Sequence, residues 1–402
     1  MNSKLDINLT AIQQASVNDH VTRHLSSVLP GISFAIHTPV STAYHQTAED
    51  CSHILNLPQC SSAIVVLIDG LGYWNLAERI GHAPYLRSLL HNNPENNADT
   101  ASINTCYPST TVAALGTFGT GTCPGLTGML GYTQLNPENH HIAQMIKFVH
   151  AIAPEKLQQQ PTIFEKIEEA GGQVSTVGLP DFKRSPLTRA ALRGSQYTSQ
   201  VNDLRRAYQA AENAHRYNLT YLYIRIIDKA GHKYGWESDE WAASLENADQ
   251  QLQIVRNNMP HDSALIITAD HGMININYDH QIDIATIPVL NHHIACIGGE
   301  PRALMLYVKK DTDPQETANE WANYFKDQAI VLTKQEAVQH HVFGEVAPHV
   351  LPMIGDVIVM CTGDTTIVDS RVQPSTMMSM PGVHGSLTEY ETRIPLLIDY
   401  KD

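Results

Sequence analysis

Short runs of consecutive apolar, largely β-branched residues recur along the chain, each closing on a polar or glycine-containing turn. They are AIVVLIDG (63–70), QVSTVGL (173–179), LTYLYIRIID (219–228), ALIITADHG (264–272), RALMLYV (302–308), DVIVMCTG (356–363) and IPLLID (394–399). Uninterrupted runs of this kind suit strands buried on both faces, the pattern of a parallel sheet. Between them lie stretches with helical spacing, at 161–170 and 239–256, the second opening on acidic residues as a helix start favours. Strands alternating with helices predict an α/β fold, with a central, mostly parallel β-sheet flanked by helices. The segment 275–380 is less regular and rich in Pro and Gly. It reads as an inserted cap or edge region within a single domain spanning 1–402.

Composition narrows the classes. The chain has 402 residues, 43% of them hydrophobic and 17% charged, which excludes disordered, collagen-like and coiled-coil chains. Acidic residues outnumber basic ones 41 to 26, for a formal charge of −15. Such a surface repels nucleic-acid backbones and anionic membranes, so neither is an expected partner. The longest apolar stretch, 63–68, falls far short of the ~20 residues of a membrane helix. The first residues lack the apolar core of a signal peptide. The six cysteines, at 51, 60, 106, 123, 296 and 361, form no C-x-x-C pair and read as free thiols. The expectation is a soluble, cytoplasmic protein of unspecified oligomeric state.

Open α/β sheets bind ligands beyond the carboxyl ends of their strands. Reactive side chains gather there: Asp69 closes AIVVLI, Asp228 closes YLYIRII with His232 four residues on, and Asp270 and His271 close ALIITA. His384 lies between glycines just before the last run. A lone Asp after a strand is usually a turn or cap residue, and a lone His usually a hydrogen-bonding group. Three Asp and three His together are instead the donor set of two divalent cations. The segment NTCYPSTTVAALGTFGTG supplies a nucleophile. Pro108 and Ser109 read as a turn and helix cap, placing Thr110 and Thr111 in the first helical turn, where free N–H groups and the dipole favour an alkoxide and a phosphate.

The ordered set LIDG, PSTT, a downstream Thr-Gly, D-x-x-x-H, DHGM and GVHG resembles the alkaline phosphatase superfamily, on its nucleotide pyrophosphatase/phosphodiesterase branch, over roughly 69–384. The resemblance implies an alkaline-phosphatase-like layered fold. It also implies one zinc held by Asp69, Asp270, His271 and the nucleophile, and a second held by Asp228, His232 and His384, with manganese the alternative metal. In the superfamily the nucleophile lies nine positions before the Thr of a Thr-Gly pair. Here that pair is Thr120-Gly121, which selects Thr111, with Thr110 in reserve. Cys106-Tyr107-Pro108-Ser109 imitates the start of a sulfatase motif, but Thr110 stands in place of its Arg and Leu115 in place of its Thr. The branch's phosphate-holding Asn, 21 positions after the nucleophile, is Tyr132 here. It is carried forward as a weak substrate-binding candidate.

The implied activity is hydrolysis of a small-molecule phosphodiester or nucleotide pyrophosphate through a phospho-threonine intermediate. Three carboxylates and one alkoxide would balance two divalent cations. A phosphomonoesterase or phosphonate hydrolase is the alternative, and a non-catalytic metal-binding protein the third reading. The histidine pairs 140–141, 292–293 and 340–341 read as surface or loop residues, as do Lys183 and Arg184, with a third metal or a substrate role for His280 or His292 the lesser alternative.

Overall fold

The computed structural model describes residues 3–7, 9–16, 22–92 and 98–402. Ten of its strands build two sheets: β1 (Ser62–Ile68), β2 (Val174–Gly178), β3 (Gln196–Ser199), β4 (Leu219–Ile224), β5 (Ser263–Ala269), β6 (Ile294–Glu300), β7 (Ala303–Val308), β8 (Ala329–Thr333), β9 (Val357–Cys361) and β10 (Leu397–Lys401). The central sheet has the order β10-β5-β1-β4-β2-β3. Its pairings are parallel except for the edge strand β10, which runs antiparallel to β5. Every residue of β1 and β5 is buried, because helices cover both faces. This is the mostly parallel, helix-flanked sheet that the apolar runs predict.

The helices that matter below are α1 (Thr111–Thr120), α2 (Ile163–Glu169), α3 (Ile226–Tyr234), α4 (Asp239–Asn258) and α5 (Pro314–Phe325). Thr162 and Glu165 close a capping box at the start of α2, and Ser238 caps α4 by accepting from the Trp241 N–H. No described helix is long and apolar enough to cross a membrane. All six cysteines are free thiols.

Two runs behave differently from expectation. RALMLYV and DVIVMCTG do not join the parallel sheet; they form β7 and β9 of a separate antiparallel sheet, ordered β6-β7-β9-β8. The reason is that this sheet too is covered on both faces. Ala303, Met305, Tyr307, Ile358 and Met360 face the main core, whereas Leu304, Leu306, Val357, Val359 and Cys361 pack with Trp321 and Phe325 of α5 in a second, smaller core. Burial on both sides erases the polar alternation that marks a half-exposed antiparallel strand. A buried bidentate pair, Arg302 to Glu391 at 2.8 Å through two nitrogens, ties this sheet to the main body.

Candidate metal and nucleophile site

The strand order reverses at β1, which has β4 on one side and β5 on the other, and ligand sites in open sheets form at such a reversal. Asp69 directly follows β1, and Asp270 and His271 directly follow β5. The sequence expectation for Asp228 needs correction. β4 ends at Ile224, and Asp228 lies in the first turn of α3 with His232 one turn later on the same face. The Asp228 N–H donates to the Asp69 carbonyl at 3.0 Å, so the helix start is pinned to the neighbouring strand end. Gly70 permits this approach: its φ is +73°, and a Cβ there would lie 2.8 Å from Asp228 Cα. Gly272 serves the DHG turn likewise, since a Cβ would stand 2.0 Å from the Tyr390 carbonyl oxygen. Asn75 clamps that turn, donating to the Met273 carbonyl and accepting from its N–H.

The helix cap is also shifted by one residue. Thr110, not Ser109, is the N-cap of α1, and Thr111 is its first residue. Ser109 instead donates to the Ser386 carbonyl and accepts from the Gly385 N–H, holding the GVHG loop. Thr111 is half-buried, whereas every other residue of α1 is buried, so it is the helix's one open position. Its Oγ1 donates to Asp69 Oδ1 at 3.3 Å and stands 3.2 Å from His271 Nε2. The decoy Cys106 is buried, and that burial pushes its thiol up to about 12.

The three histidines are oriented alike. His271 Nδ1 faces the Gly272 carbonyl at 3.0 Å, His384 Nδ1 the Ser109 carbonyl at 2.8 Å, and His232 Nδ1 the Gly382 carbonyl at 2.8 Å. A carbonyl can only accept, so each Nδ1 carries the proton, which in the neutral ring leaves the lone pair on Nε2. His271 Nε2 lies 3.5 Å from Asp69 Oδ1 and 3.6 Å from Asp270 Oδ2. Asp228 Oδ1 lies 3.3 Å from His232 Nε2 and 3.8 Å from His384 Nε2. Donor atoms of Asp69, Asp270 and His271 fall within 4.8 Å of one another, as do those of Asp228, His271 and His384. All six ligand candidates and Thr111 therefore converge, with His271 between the two groups.

The electrostatics of this cluster call for cations. Asp270 Oδ2 and Asp228 Oδ1 are enclosed and make no hydrogen bond, a costly state for a carboxylate oxygen. Burial, reinforced by Asp270 and Asp228, holds the Asp69 carboxyl well above its usual range. Burial likewise raises Asp270, with Asp228 adding to it. The His384 imidazole is pushed well down by burial and by His271 and His232. The carboxylate shifts disfavour negative charge that divalent ions would compensate, and the His384 shift keeps that imidazole neutral, as a ligand must be, so the donor set fits metal binding.

Four nearby residues carried no signal in the sequence. Tyr223 lies on β4 inside an apolar run, and its hydroxyl donates to Asp69 Oδ2. Phe182 packs edge-on against Tyr223, with ring centroids 6.1 Å apart, and the exposed Arg225 guanidinium lies 5.5 Å from the Phe182 ring. Glu300, at the end of β6, is buried against Gly131 and against Gly385 of the GVHG loop, and its Oε1 is enclosed without a hydrogen-bond partner. Tyr132 itself is half-buried. Lys183 and Arg184 are exposed.

Residues 63–387 match the family model described as type I phosphodiesterase / nucleotide pyrophosphatase. Murine ectonucleotide pyrophosphatase / phosphodiesterase 5 is similar in fold, with a TM-score of 0.65 at 15% identity over 85% of this chain and 88% of that one. An inactive variant of it in complex with AMP gives a TM-score of 0.64 at 15% identity, covering 83% and 87%. Phosphonoacetate hydrolase from Sinorhizobium meliloti, in complex with phosphonoformate, gives 0.62 at 19% identity, covering 85% and 90%. In sequence, a phosphopentomutase from Idiomarina loihiensis is 31% identical over 121 residues, 29% of this chain; the match spans 28% of that curated relative's length.

Proposed function

We propose that this chain, which belongs to the type I phosphodiesterase / nucleotide pyrophosphatase family, cleaves phosphodiester or nucleotide pyrophosphate bonds with Thr111 as nucleophile. Membership makes it a phosphoester or pyrophosphate hydrolase of a metal-dependent family. The finer reading rests chiefly on one observation: Thr111 Oγ1, at the open first position of a buried helix, lies within 3.3 Å of both Asp69 Oδ1 and His271 Nε2. Asp69, Asp270, His271 and Thr111 would hold one divalent ion, and Asp228, His232 and His384 the other. Bound there, two zinc ions would stabilise charge on the phosphoryl oxygens and favour the ionised hydroxyl.

The chain's own residues do the rest. The free N–H groups opening α1 face the anion that Thr111 attacks. Thr111 Oγ1 forms the new P–O bond as the leaving oxygen departs with its electron pair, giving a phospho-threonine. Water then attacks phosphorus, the Thr111 oxygen leaves, and its hydroxyl is restored. Tyr223 orients Asp69, and the Nδ1 bonds of the three histidines fix the direction of each Nε2. Tyr132 remains a candidate contact to the phosphate. Residues 275–380 act as an edge region of the one catalytic domain, supporting the nucleophile turn through Glu300.

The substrate is a small molecule. AMP and phosphonoformate occupy the two fold relatives and illustrate the chemistry in question. Hydrolysis of a monoester or phosphonate at the same centre is the second reading. Arg225 favours it, because a cation beside Phe182 and Tyr223 would offset the extra charge of a dianion. Comparing kcat/KM of metal-loaded protein on a matched aryl phosphodiester and aryl phosphomonoester separates the two. The diester is expected to be preferred; monoester preference would shift the assignment to the second reading.

A further inference from the structure

Away from the catalytic cluster, the second sheet carries another set of converging metal-ligating atoms. His292 and His293 follow the short helix Pro288–Asn291 and precede β6, while Glu316 and Glu320 stand one turn apart on α5. Leu290, Ala318 and Trp321 share the smaller core, which holds the histidine turn against the helix. We propose that His292, His293 and Glu320, with Glu316 as an outer partner, form a third binding site for a divalent transition-metal ion such as zinc.

Donor geometry carries the argument. His292 Nδ1 faces the Pro288 carbonyl at 3.2 Å, so that nitrogen bears the proton and Nε2 is free to ligate. Nε2 of His292 lies 3.5 Å from Glu320 Oε1, and Nε2 of His293 lies 3.9 Å from Glu320 Oε2 and from Glu316 Oε1. The donor atoms of His292, His293 and Glu320 fall within 4.8 Å of one another. These separations exceed ordinary hydrogen-bond lengths. They are close to the spacing of two ligand atoms sharing one tetrahedral ion, about 3.3 Å for bonds near 2.0–2.1 Å. Independently, Glu320 Oε2 is enclosed and makes no hydrogen bond. The backbone of the pair is anchored as well: the His292 carbonyl accepts from Lys309 Nζ at 2.6 Å, and the His293 carbonyl from the Lys309 N–H at 2.8 Å.

The site shares no residue with the catalytic cluster. The length of β6, roughly 20 Å of extended chain, separates His293 from Glu300 beside the nucleophile helix. The ion would clip α5 to the entrance of β6 at a half-open position, since the His292 side chain is 45% exposed and that of Glu320 25%. Two imidazoles and a carboxylate leave a fourth position for Glu316 or water.

The test is metal content of the full chain. Metal-free wild type, a His292→Ala/His293→Ala double variant and a Glu320→Gln variant are equilibrated with buffered zinc, freed of excess and assayed for zinc per chain and for diester hydrolysis. Wild type is expected to hold one more zinc per chain than either variant, with hydrolysis unchanged within twofold. Equal zinc content would overturn the proposal. A loss of zinc accompanied by a matching loss of hydrolysis would also overturn it, because the missing ion would then belong to the catalytic centre. Should the double variant unfold, Glu320→Gln decides alone.

Discussion

Asp228 Oδ1 and Asp270 Oδ2 are the most informative atoms of the catalytic cluster, because a network of ordinary ion pairs would not leave enclosed carboxylate oxygens without donors. Asp69, Asp270, His271 and His384 were legible in the sequence because each stands just beyond a strand or in a glycine-flanked turn, and Asp228 and His232 because their spacing places them on one face of a helix that follows a strand. Tyr223 and Glu300 were not. Tyr223 sits in an apolar run as any strand tyrosine would, and Glu300 reaches Gly131 and the GVHG loop only through folding of a distant sheet. Glu300 also yields a test. Burial pushes its carboxyl up to about 8, from an ordinary value of 4.5. Between those values the folded protein holds a proton that the unfolded chain has released, so stability is present below pH 4.5 and is lost as pH rises through about 8. Across that window, wild type should lose stability relative to Glu300→Gln by about 1.4 kcal/mol per pH unit. Denaturant midpoints of the two proteins read the difference, and parallel profiles would contradict it.

At the scale of elements, patterning located five of the six strands of the central sheet, missed the largely exposed edge strand β3, and misjudged two boundaries and one partnership. LTYLYIRIID is apolar enough to read as strand to its end, yet α3 begins at Ile226 because the Asp228 N–H is claimed by the Asp69 carbonyl. The cap moved from Ser109 to Thr110 because Ser109 is spent on the GVHG loop. The antiparallel sheet was hidden by its burial on both faces. Placement of α1 is the tightest of these element contacts. A Cβ on Gly119 would stand 1.8 Å from the Ala191 carbonyl oxygen, in the helix packed alongside. Gly119→Ala should therefore cost about 1–3 kcal/mol, as overpacking does. It should also lower hydrolysis by shifting Thr111. Urea unfolding with a parallel activity assay checks both, and unchanged stability would show that the two helices separate freely.

For the whole molecule, the metal ions and the fold should be linked. Carboxylates and imidazoles from β1, α3, β5 and the GVHG loop meet at one point, so ions bound there join elements far apart in sequence. A ligand bound only by the folded state adds about 2.7 kcal/mol at a hundred times its dissociation constant. Chelation should thus lower both activity and Tm, and a verified metal-free sample with an unchanged Tm would contradict the structural half of that statement. The central claim is that Thr111, and not its neighbour, attacks phosphorus. Its most direct test is kcat/KM on an aryl phosphodiester for metal-loaded wild type, Thr111→Ala and Thr110→Ala, with folding verified for each. Thr111→Ala should lose on the order of a thousandfold or more, as removal of a nucleophile does. Thr110→Ala, at an N-cap whose side chain makes no capping hydrogen bond, should lose far less. Substantial activity in Thr111→Ala would contradict the account.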